Sequence, residues 1–108
     1  MPKIILKGTP ASIGVIEGKV KVVNDPYTHN FKKGDILVTE MTNPRFVLLI
    51  HKAAAIITDI GGQLCHAAIT AREFKIPCIV GTENATTVLK NGQKVIVNAT
   101  EGNVYETK

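Results

Sequence analysis

The chain has 108 residues, of which 44% are hydrophobic, 20% charged and none Trp, so one globular domain spanning residues 1–108 with an aliphatic core is expected. The net charge of +4 fits a solvated basic surface or the attraction of anionic partners. Basic and aromatic residues do not interleave, and no apolar run approaches the ~20 residues of a bilayer span, so nucleic-acid and membrane binding are not expected.

The first third of the chain predicts short strands separated by loops. Lys3–Leu6 is an apolar strand candidate, and Gly8–Gly14, with its Gly, Pro and Ser, is predicted to be a loop. Val15–Val23 alternates between apolar and polar residues toward its end, as a half-buried strand does. Asn24–Pro26 breaks that strand, and Ile36–Thr39 is predicted to be a short buried strand.

The middle of the chain predicts a helix followed by a buried strand. Asn43–Lys52 is predicted to be a helix because Pro44 stands near its first position and apolar residues recur at helical spacing. The apolar residues on one face of this helix are Phe46, Leu49 and Ile50. Ala53–Thr58 is a continuous apolar run with a β-branched end, which favours a strand buried on both faces.

The last part of the chain alternates helices with short strands. One helix is predicted over Leu64–Phe74, and another over Thr82–Leu89 with Thr82 as its cap and Glu83 in its first turn. The strands predicted here are Cys78–Val80, Gln93–Ala99 and Asn103–Glu106. This order of elements predicts an α/β domain of mixed sheets with helices packed alongside, on one side.

The two cysteines, Cys65 and Cys78, indicate neither a disulfide framework nor a metal site. Twelve residues separate them, and no second Cys/His pair stands at zinc spacing. Cys65 adjoins His66, but adjacent residues on a helix point apart and chelate poorly, so we expect no metal in this chain. Reduced thiols, and an N-terminus whose apolar run is too short for a signal peptide, predict a cytoplasmic protein.

The segment Thr58–Thr82, TDIGGQLCHAAITAREFKIPCIVGT, has the features of an anion site. A buried strand leads into a turn at Gly61-Gly62, and the turn leads into a helix with His66 in its first turn. The first amides of a helix have no partner within the helix, and the macrodipole favours an anion beside them. Glycine can adopt positive φ and lets a phosphate approach the backbone closely. An anion bound at this turn would therefore lie beside His66.

His66 is chemically suited to accept a phosphoryl group. Neutral imidazole is available near pH 7, and the P–N bond that it forms is labile, as a relay requires. A lone histidine in a helix is more often a capped or packed structural residue, so the physical argument by itself leaves both roles open. Thr58 and Asp59 precede the glycines, where they either form the turn or orient His66. His29 in a polar loop and His51 at a helix end are expected to be ordinary.

The segment GGQLCHAAITAR, Gly61–Arg72, resembles the phosphohistidine signature of the phosphoenolpyruvate-utilising enzymes. These include pyruvate phosphate dikinase, phosphoenolpyruvate synthase and enzyme I of the sugar phosphotransferase system. The similarity continues in collinear order through Gly8–Val23, Gly34–Pro44, Ala53–Gly62 and Ile76–Tyr105. The resemblance therefore covers nearly the whole chain.

The resemblance implies a swivelling β/β/α domain that moves between two active sites of a transferase or kinase. His66 would then be the catalytic residue that accepts the phosphoryl group and passes it on. The residues that would contact phosphate or shape the site are Gly61, Gly62, Cys65, Ala67, Asp59 and Arg72. Arg72 lies about 240° round an ideal helix from His66, which favours helix packing or partner docking over phosphate contact.

The chain departs from the family pattern at three positions. Leu64 replaces a hydroxyl residue two before the histidine, which removes a hydrogen-bond donor near the phosphoryl group. Thr70 replaces an aliphatic residue four after it, and a threonine there can hydrogen-bond back to its own helix. Arg45 stands where relatives often have an acid, which would alter docking. Glu40 and Thr42 match a family segment, but the sequence assigns them no role.

The chain has no Gly-rich nucleotide loop followed by Lys and no room for a barrel, so it is not expected to bind ATP or phosphoenolpyruvate by itself. The family implies two partners, a nucleotide-binding domain of ATP-grasp type and a phosphoenolpyruvate/pyruvate barrel, which would also hold the magnesium. The chain is then a piece of a larger enzyme, a subunit of a split enzyme or a free carrier. Its first Met and polar tail favour a separate small protein.

Two other functions stay open from the sequence. The fold could survive as a non-catalytic docking or regulatory module, in which Leu64 marks lost chemistry. A detached small domain of a dehydratase-type enzyme is disfavoured, because such chemistry does not need His66 after a Gly-Gly turn.

Overall fold

The computed structural model describes residues 3–28 and 30–107 of the chain. Within these residues it forms eight strands and three α-helices, so the predicted α/β class is confirmed. The strands are β1 (Lys3–Lys7), β2 (Thr9–Ser12), β3 (Val15–Val22), β4 (Ile36–Thr39), β5 (Ala55–Thr58), β6 (Cys78–Val80), β7 (Lys94–Asn98) and β8 (Asn103–Glu106). The helices are α1 (Val47–Lys52), which follows a 3₁₀ turn at Pro44–Phe46, α2 (His66–Phe74) and α3 (Ala85–Val88).

The strands of the described residues form one mixed sheet in the order β1-β8-β7-β3-β4-β5-β6-β2. Strands β3, β4, β5 and β6 run parallel to one another, and the remaining pairs are antiparallel. The carboxyl ends of parallel strands meet at one edge, so the loops that follow β4, β5 and β6 lie side by side. Backbone hydrogen bonds join them, from the Asp59 N–H to the Thr39 carbonyl at 3.2 Å and from the Glu83 N–H to the Asp59 carbonyl at 2.7 Å.

Side chains of the central strands alternate between two hydrophobic clusters, one on each face of the sheet. Leu37 and Ile56 pack with α1 and α2, whereas Ile36 and Ile57 pack with α3 and with β7 and β8. We expected the helices on one side, but α3 lies on the face opposite α1 and α2. The physical reason is that β4, β5 and β6 are buried throughout, so both faces of the parallel strands need cover.

Helix α1 presents the face that its apolar spacing predicts. The residues on that face are all buried: Phe46, Leu49 and Ile50. The preceding 3₁₀ turn also starts as predicted. The Asn43 side chain accepts a hydrogen bond from the Arg45 N–H at 2.8 Å. Pro44 lacks an N–H, but the first position of a helix has no carbonyl partner for one. This helix therefore covers one face of the sheet, over the central strands β4 and β5.

The prediction of a loop over Gly8–Gly14 is wrong at its centre, where Thr9–Ser12 forms the edge strand β2. This strand pairs antiparallel with β6, and Pro10 lies opposite Ile79. Proline is tolerated on an edge strand because one side of the strand has no ladder to donate to. Local composition indicates a loop, and only the distant partner strand makes the segment extended.

Two helix boundaries also differ from prediction. Helix α2 begins at His66, with Cys65 as its cap residue. Helix α3 begins only at Ala85, because Glu83 has a φ of +78° and lies outside the helix. Thr82 still acts near this end, since its hydroxyl oxygen accepts a hydrogen bond from the Ala85 N–H at 3.2 Å.

Candidate functional site

The turn before α2 places His66 at the first position of that helix. Gly61 has a φ of +128°, which favours glycine, and a Cβ built on it would lie 2.8 Å from the Cys65 Sγ. A Cβ on Gly62 would meet nothing within 4 Å. The Gly62 carbonyl accepts a hydrogen bond from the Cys65 N–H at 3.1 Å, a backbone contact that does not depend on glycine. Of the two glycines, Gly61 is therefore the one that the turn requires.

The first turn of α2 has backbone donors available for an anion. Within the part of the chain that the structure describes, no backbone carbonyl accepts a hydrogen bond from the amides of His66, Ala67 or Ala68. The next amide, that of Ile69, already donates to the Cys65 carbonyl at 3.0 Å. The helix N-terminus therefore offers three free amides and the positive end of its dipole beside the His66 ring.

The His66 ring is half-buried and contacts a hydroxyl at each nitrogen. The Thr42 Oγ1 lies 2.8 Å from Nδ1, which is the distance of a normal hydrogen bond, and Thr42 is buried. The Thr70 Oγ1 lies 3.4 Å from Nε2, at the outer limit of hydrogen bonding. We expected Thr70 to bond back to its helix, but its hydroxyl instead contacts the ring. Nδ1 is thus firmly held, and Nε2 is not.

A cavity of about 160 Å³ opens beside the ring. Its lining combines residues of the loop after β4, the turn after β5 and the start of α2: Met41, Thr42, Ile60, Gly61, Cys65, His66 and Ala67. Its volume equals about five water molecules in the liquid, which is enough for one tetrahedral anion. A larger cavity of about 500 Å³ lies beside Arg72 and Lys75, but His66 does not line it.

Asp59 contacts α3 and does not line the His66 cavity. Its carboxylate accepts hydrogen bonds from the Thr86 N–H at 2.9 Å and from the Thr86 hydroxyl at 2.6 Å. Thr58 is buried, and its hydroxyl donates to the Ile60 carbonyl at 2.8 Å. Both residues therefore hold the backbone of the turn that precedes Gly61.

Arg72 joins α2 to β2 and to the turn before α2. Its Nε donates to the Ala11 carbonyl at 2.8 Å, and its Nη2 donates to the Gln63 carbonyl at 2.6 Å and to the Gln63 Oε1 at 2.5 Å. These contacts support the helix-packing interpretation that its position on the helix favoured. Arg72 acts on the site by holding the turn against α2.

The other residues singled out in the sequence lie around this centre. Leu64 is 84% exposed, and Arg45 is exposed on the 3₁₀ turn. His51 is exposed at the end of α1, where its ring stacks near Phe74 with centroids 4.5 Å apart. His29 lies outside the described residues. Leu64 therefore adds an apolar, donor-free side chain to the surface next to His66.

The two free cysteines differ in burial: Cys65 is partly exposed, whereas Cys78 is buried. Cys78 is fully buried in β6, and burial raises the pKa of its thiol from 9.0 to about 12, with a smaller rise caused by Cys65 and a reduction caused by Arg72. The folded chain therefore keeps a proton on Cys78 that the unfolded chain releases above about pH 9. The stability that depends on this proton is complete below pH 9 and is lost as the pH rises toward 12.

We therefore expect Cys78→Ala to flatten the loss of stability at alkaline pH. The free energy of unfolding, measured with urea from about pH 8 to about pH 11, should fall less steeply in Cys78→Ala than in the unmodified chain. The difference between the two proteins is the quantity to compare, because the contributions of the residues that they share then cancel. Val80→Ala, at a buried residue of the same strand that cannot ionise, is the matched control and should keep the original slope. Equal slopes for all three proteins would contradict the assignment.

Of the two residues that sequence reasoning left without a role, Glu40 and Thr42, the one whose side chain contacts His66 is Thr42. It belongs to the segment GDILVTEMTNP and follows β4, the strand next to β5 in the sheet. The signal was available in principle, because loops at the carboxyl ends of neighbouring parallel strands lie together. Sequence alone did not show that β4 and β5 are neighbours, so the contact between Thr42 and His66 could not be predicted.

Across residues 3–28 and 30–107, no three His, Cys, Asp or Glu side chains lie close enough together to hold a metal ion. None of the helices within those ranges is long and apolar enough to cross a membrane.

The fold and the site define a class of protein: a small α/β domain that presents a half-buried histidine at a helix N-terminus, directly after a diglycine turn. Residues 31–102 match the family described as "PEP-utilising enzyme, mobile domain". The chain belongs to this family, and the resemblance of its signature segment is confirmed.

Relatives of the chain support the same assignment. It is 50% identical over 107 residues to a "Probable phosphoenolpyruvate synthase" of Staphylothermus marinus, and 51% identical over 105 residues to the phosphoenolpyruvate synthase of Pyrococcus furiosus. Each comparison covers 96% of this chain but 13% of the relative. The chain therefore spans about one eighth of the length of the curated relatives it matches.

Solved structures show the same architecture. The fold is similar to an NMR structure of an Enzyme I protein, with a TM-score of 0.60 and 31% identity over 76% of this chain and 33% of that one. It is also similar to aconitase X of Thermococcus kodakaraensis, with a TM-score of 0.73 and 24% identity over 95% of this chain and 98% of that one. At this identity the second similarity shows the fold alone.

Proposed function

We propose that this chain is a phosphoryl-carrier domain, in which the Nε2 atom of His66 accepts a phosphoryl group at one active site and delivers it at a second. The observation that supports this most directly is the asymmetry of the ring. Buried Thr42 holds Nδ1 at 2.8 Å, whereas Nε2 has only a 3.4 Å contact with Thr70. Membership of a mobile-domain family adds independent support.

The proposed transfer uses one of the two tautomers of the neutral ring, and the Thr42 contact is compatible with it. A neutral imidazole has one N–H donor and one nitrogen with a free lone pair. If Nδ1 bears the proton, it donates to the Thr42 Oγ1, and Nε2 keeps the lone pair that a nucleophile needs. The neighbouring amides of α2 then face the oxygens of the arriving phosphoryl group, whose negative charge the helix dipole stabilises.

The transfer step needs no base from this chain. The Nε2 lone pair forms a bond to phosphorus while the bond between phosphorus and the donor's oxygen breaks, and that oxygen leaves with the electron pair. The proton stays on Nδ1, where Thr42 holds it. At the second site an oxygen of the acceptor forms a bond to phosphorus while the P–N bond breaks, the electron pair of that bond returns to Nε2, and His66 is restored.

The donor and the final acceptor bind to other domains or subunits in this proposal. The relatives are about eight times longer than the chain, and their names support phosphoenolpyruvate as one reactant. We propose an ATP-grasp-like nucleotide-binding partner and a phosphoenolpyruvate/pyruvate barrel as the two docking sites, with magnesium, ATP and phosphoenolpyruvate bound there. His66 would move between these sites with the whole domain.

The proposal is tested by mapping the phosphoryl group on the chain. Potassium phosphoramidate, a small-molecule phosphoryl donor, is added, and the product is followed by ³¹P NMR and by mass spectrometry of peptides. We expect one acid-labile, base-stable phosphohistidine at residue 66, with Nε2 substitution visible in the phosphorus shift. His51 is an internal control because it is also accessible. Phosphorylation of His51 with none at His66 would refute the proposal.

Replacing Thr42 with valine should slow phosphorylation of His66. The two side chains have similar shape, but valine cannot accept the Nδ1 hydrogen bond, so the ring loses its orientation and tautomer preference. We expect the initial rate with phosphoramidate to fall about tenfold, the effect of one lost hydrogen bond of ordinary strength. Thr42→Ser keeps the hydroxyl and should stay close to the original rate. An unchanged rate in Thr42→Val would show that Nδ1 needs no partner.

A non-catalytic docking module is the second candidate, and one observation favours it. Met41, Ile60 and Leu64 are exposed apolar side chains next to His66, which suits a surface that binds another domain. This candidate predicts stable association with a larger enzyme, but no phosphorylation of His66 by it. Incubation with that enzyme and its donor, followed by intact-mass measurement, separates the two, because only a carrier gains the mass of a phosphoryl group.

A further inference from the structure

Of the two hydroxyl contacts that the described residues make with the His66 ring, the proposed transfer step uses that of Thr42 and not that of Thr70. Thr70 lies four residues after His66 in α2, so the two side chains lie on the same face of the helix. Its Oγ1 lies 3.4 Å from Nε2, and the residue is partly exposed. It therefore stands next to the atom where the phosphoryl group would be attached.

We propose that the Thr70 hydroxyl donates a hydrogen bond to an oxygen of the phosphoryl group on His66, and so stabilises the phosphorylated state of this carrier. This inference rests on the function proposed above. It assigns a phosphoryl-contacting role to a residue four positions beyond the histidine.

The geometry allows the hydroxyl to change partners without movement of the helix. In the free ring, Nε2 has a lone pair, and the Thr70 O–H can only donate to it, weakly at 3.4 Å. Once phosphorus is bound, that lone pair is used, and the phosphoryl oxygens lie two bonds beyond Nε2. Rotation about the Thr70 C–O bond then turns the hydrogen from nitrogen to oxygen. The new bond is charge-assisted and stronger than the contact that it replaces.

Beside the backbone amides of α2, the side-chain donor available for this task is Thr70. Among the residues that line the His66 cavity, the hydroxyl belongs to Thr42, and that group is already bonded to Nδ1. Leu64 is 84% exposed and has no donor. Of the described side chains, those that hydrogen-bond to the ring are Thr42 and Thr70. Thr70 therefore supplies the side-chain O–H at the Nε2 side of the ring.

The hydrogen bond should lengthen the lifetime of the phosphohistidine. Hydrolysis passes through a loose transition state, in which the phosphoryl group carries less negative charge on its oxygens than in the bound state. A donor to those oxygens therefore stabilises the phosphorylated chain more than the transition state. Loss of the donor should speed hydrolysis, while leaving Nε2 able to react.

The experiment measures how long the phosphohistidine lasts. The 108-residue chain is phosphorylated with potassium phosphoramidate, the reagent is removed, and the decay is followed by ³¹P NMR at neutral pH. We expect Thr70→Val, which keeps the shape but not the hydroxyl, to hydrolyse about tenfold faster, and Thr70→Ser to stay near the unmodified rate. Thr87→Val is the matched control, because Thr87 is an exposed helix threonine away from the site. It should leave the lifetime unchanged.

The possible outcomes separate this inference from the function on which it rests. Equal lifetimes for Thr70→Val and the unmodified chain, both phosphorylated at His66, would overturn the inference and leave the carrier function standing. A Thr70→Ser chain that decays as fast as Thr70→Val would also overturn it, since the hydroxyl would then not be responsible. Absence of phosphate at His66 in the unmodified chain would reject the carrier function, and the inference with it.

Discussion

His66→Ala is expected to abolish phosphorylation of this chain. The alanine removes the proposed nucleophile, and the free amides of α2 cannot form a covalent bond in its place. With phosphoramidate, and equally with a partner enzyme and its donor, the acid-labile ³¹P signal should fall to background. The loss is larger than any other that we expect, because among the described residues no second histidine lies at this helix terminus.

Two controls distinguish loss of the proposed nucleophile from loss of the folded structure. His51→Ala removes a histidine that is exposed and stacked on Phe74, and it should leave the labelling intact. His66→Ala leaves the buried Thr42 hydroxyl without its partner, at an expected loss of about 1 kcal/mol, so circular dichroism and urea unfolding should show a folded domain. Full labelling of a folded His66→Ala chain would reject the carrier function.

Gly61→Ala and Gly62→Ala should have very different effects on stability, although the glycines are adjacent. An alanine at residue 61 must keep a φ of +128° and displace the Cys65 Sγ from 2.8 Å. The backbone strain and the displaced side chain should together lower the free energy of unfolding by about 3 kcal/mol. At residue 62 a Cβ meets nothing within 4 Å, and the change should stay within about 0.5 kcal/mol.

Urea unfolding of the three proteins is the direct measurement, with the slope of the transition expected to stay constant. Gly61→Ala should also slow phosphorylation, because Cys65 is the cap residue immediately before His66. Gly62→Ala is the matched control for both measurements. A Gly61→Ala chain as stable as Gly62→Ala would mean that the turn can relax, and that the positive φ is not a requirement of the site.

Much of the fold could be predicted from local sequence because the signals are themselves local. Ile36–Thr39 and Ala53–Thr58 are apolar runs long enough for buried strands, and Phe46, Leu49 and Ile50 recur at helical spacing. The errors arise where a distant partner overrides local preference. Residues 9–12 form a strand because they pair with β6, although their composition is typical of a loop. Helix α3 packs on the face opposite to the one predicted, because both faces of the parallel strands must be buried.

By itself the sequence determined the candidate nucleophile and its setting: a histidine after Gly61-Gly62, at the start of a helix, within a recognisable family segment. It did so because these features lie within a dozen consecutive residues. Only the tertiary structure decided which nitrogen of His66 is held. That choice depends on Thr42, which reaches Nδ1 from a loop 24 residues earlier because the sheet places β4 beside β5. The pairing of strands, which no local pattern encodes, thus determines which ring nitrogen has the short hydrogen-bond contact.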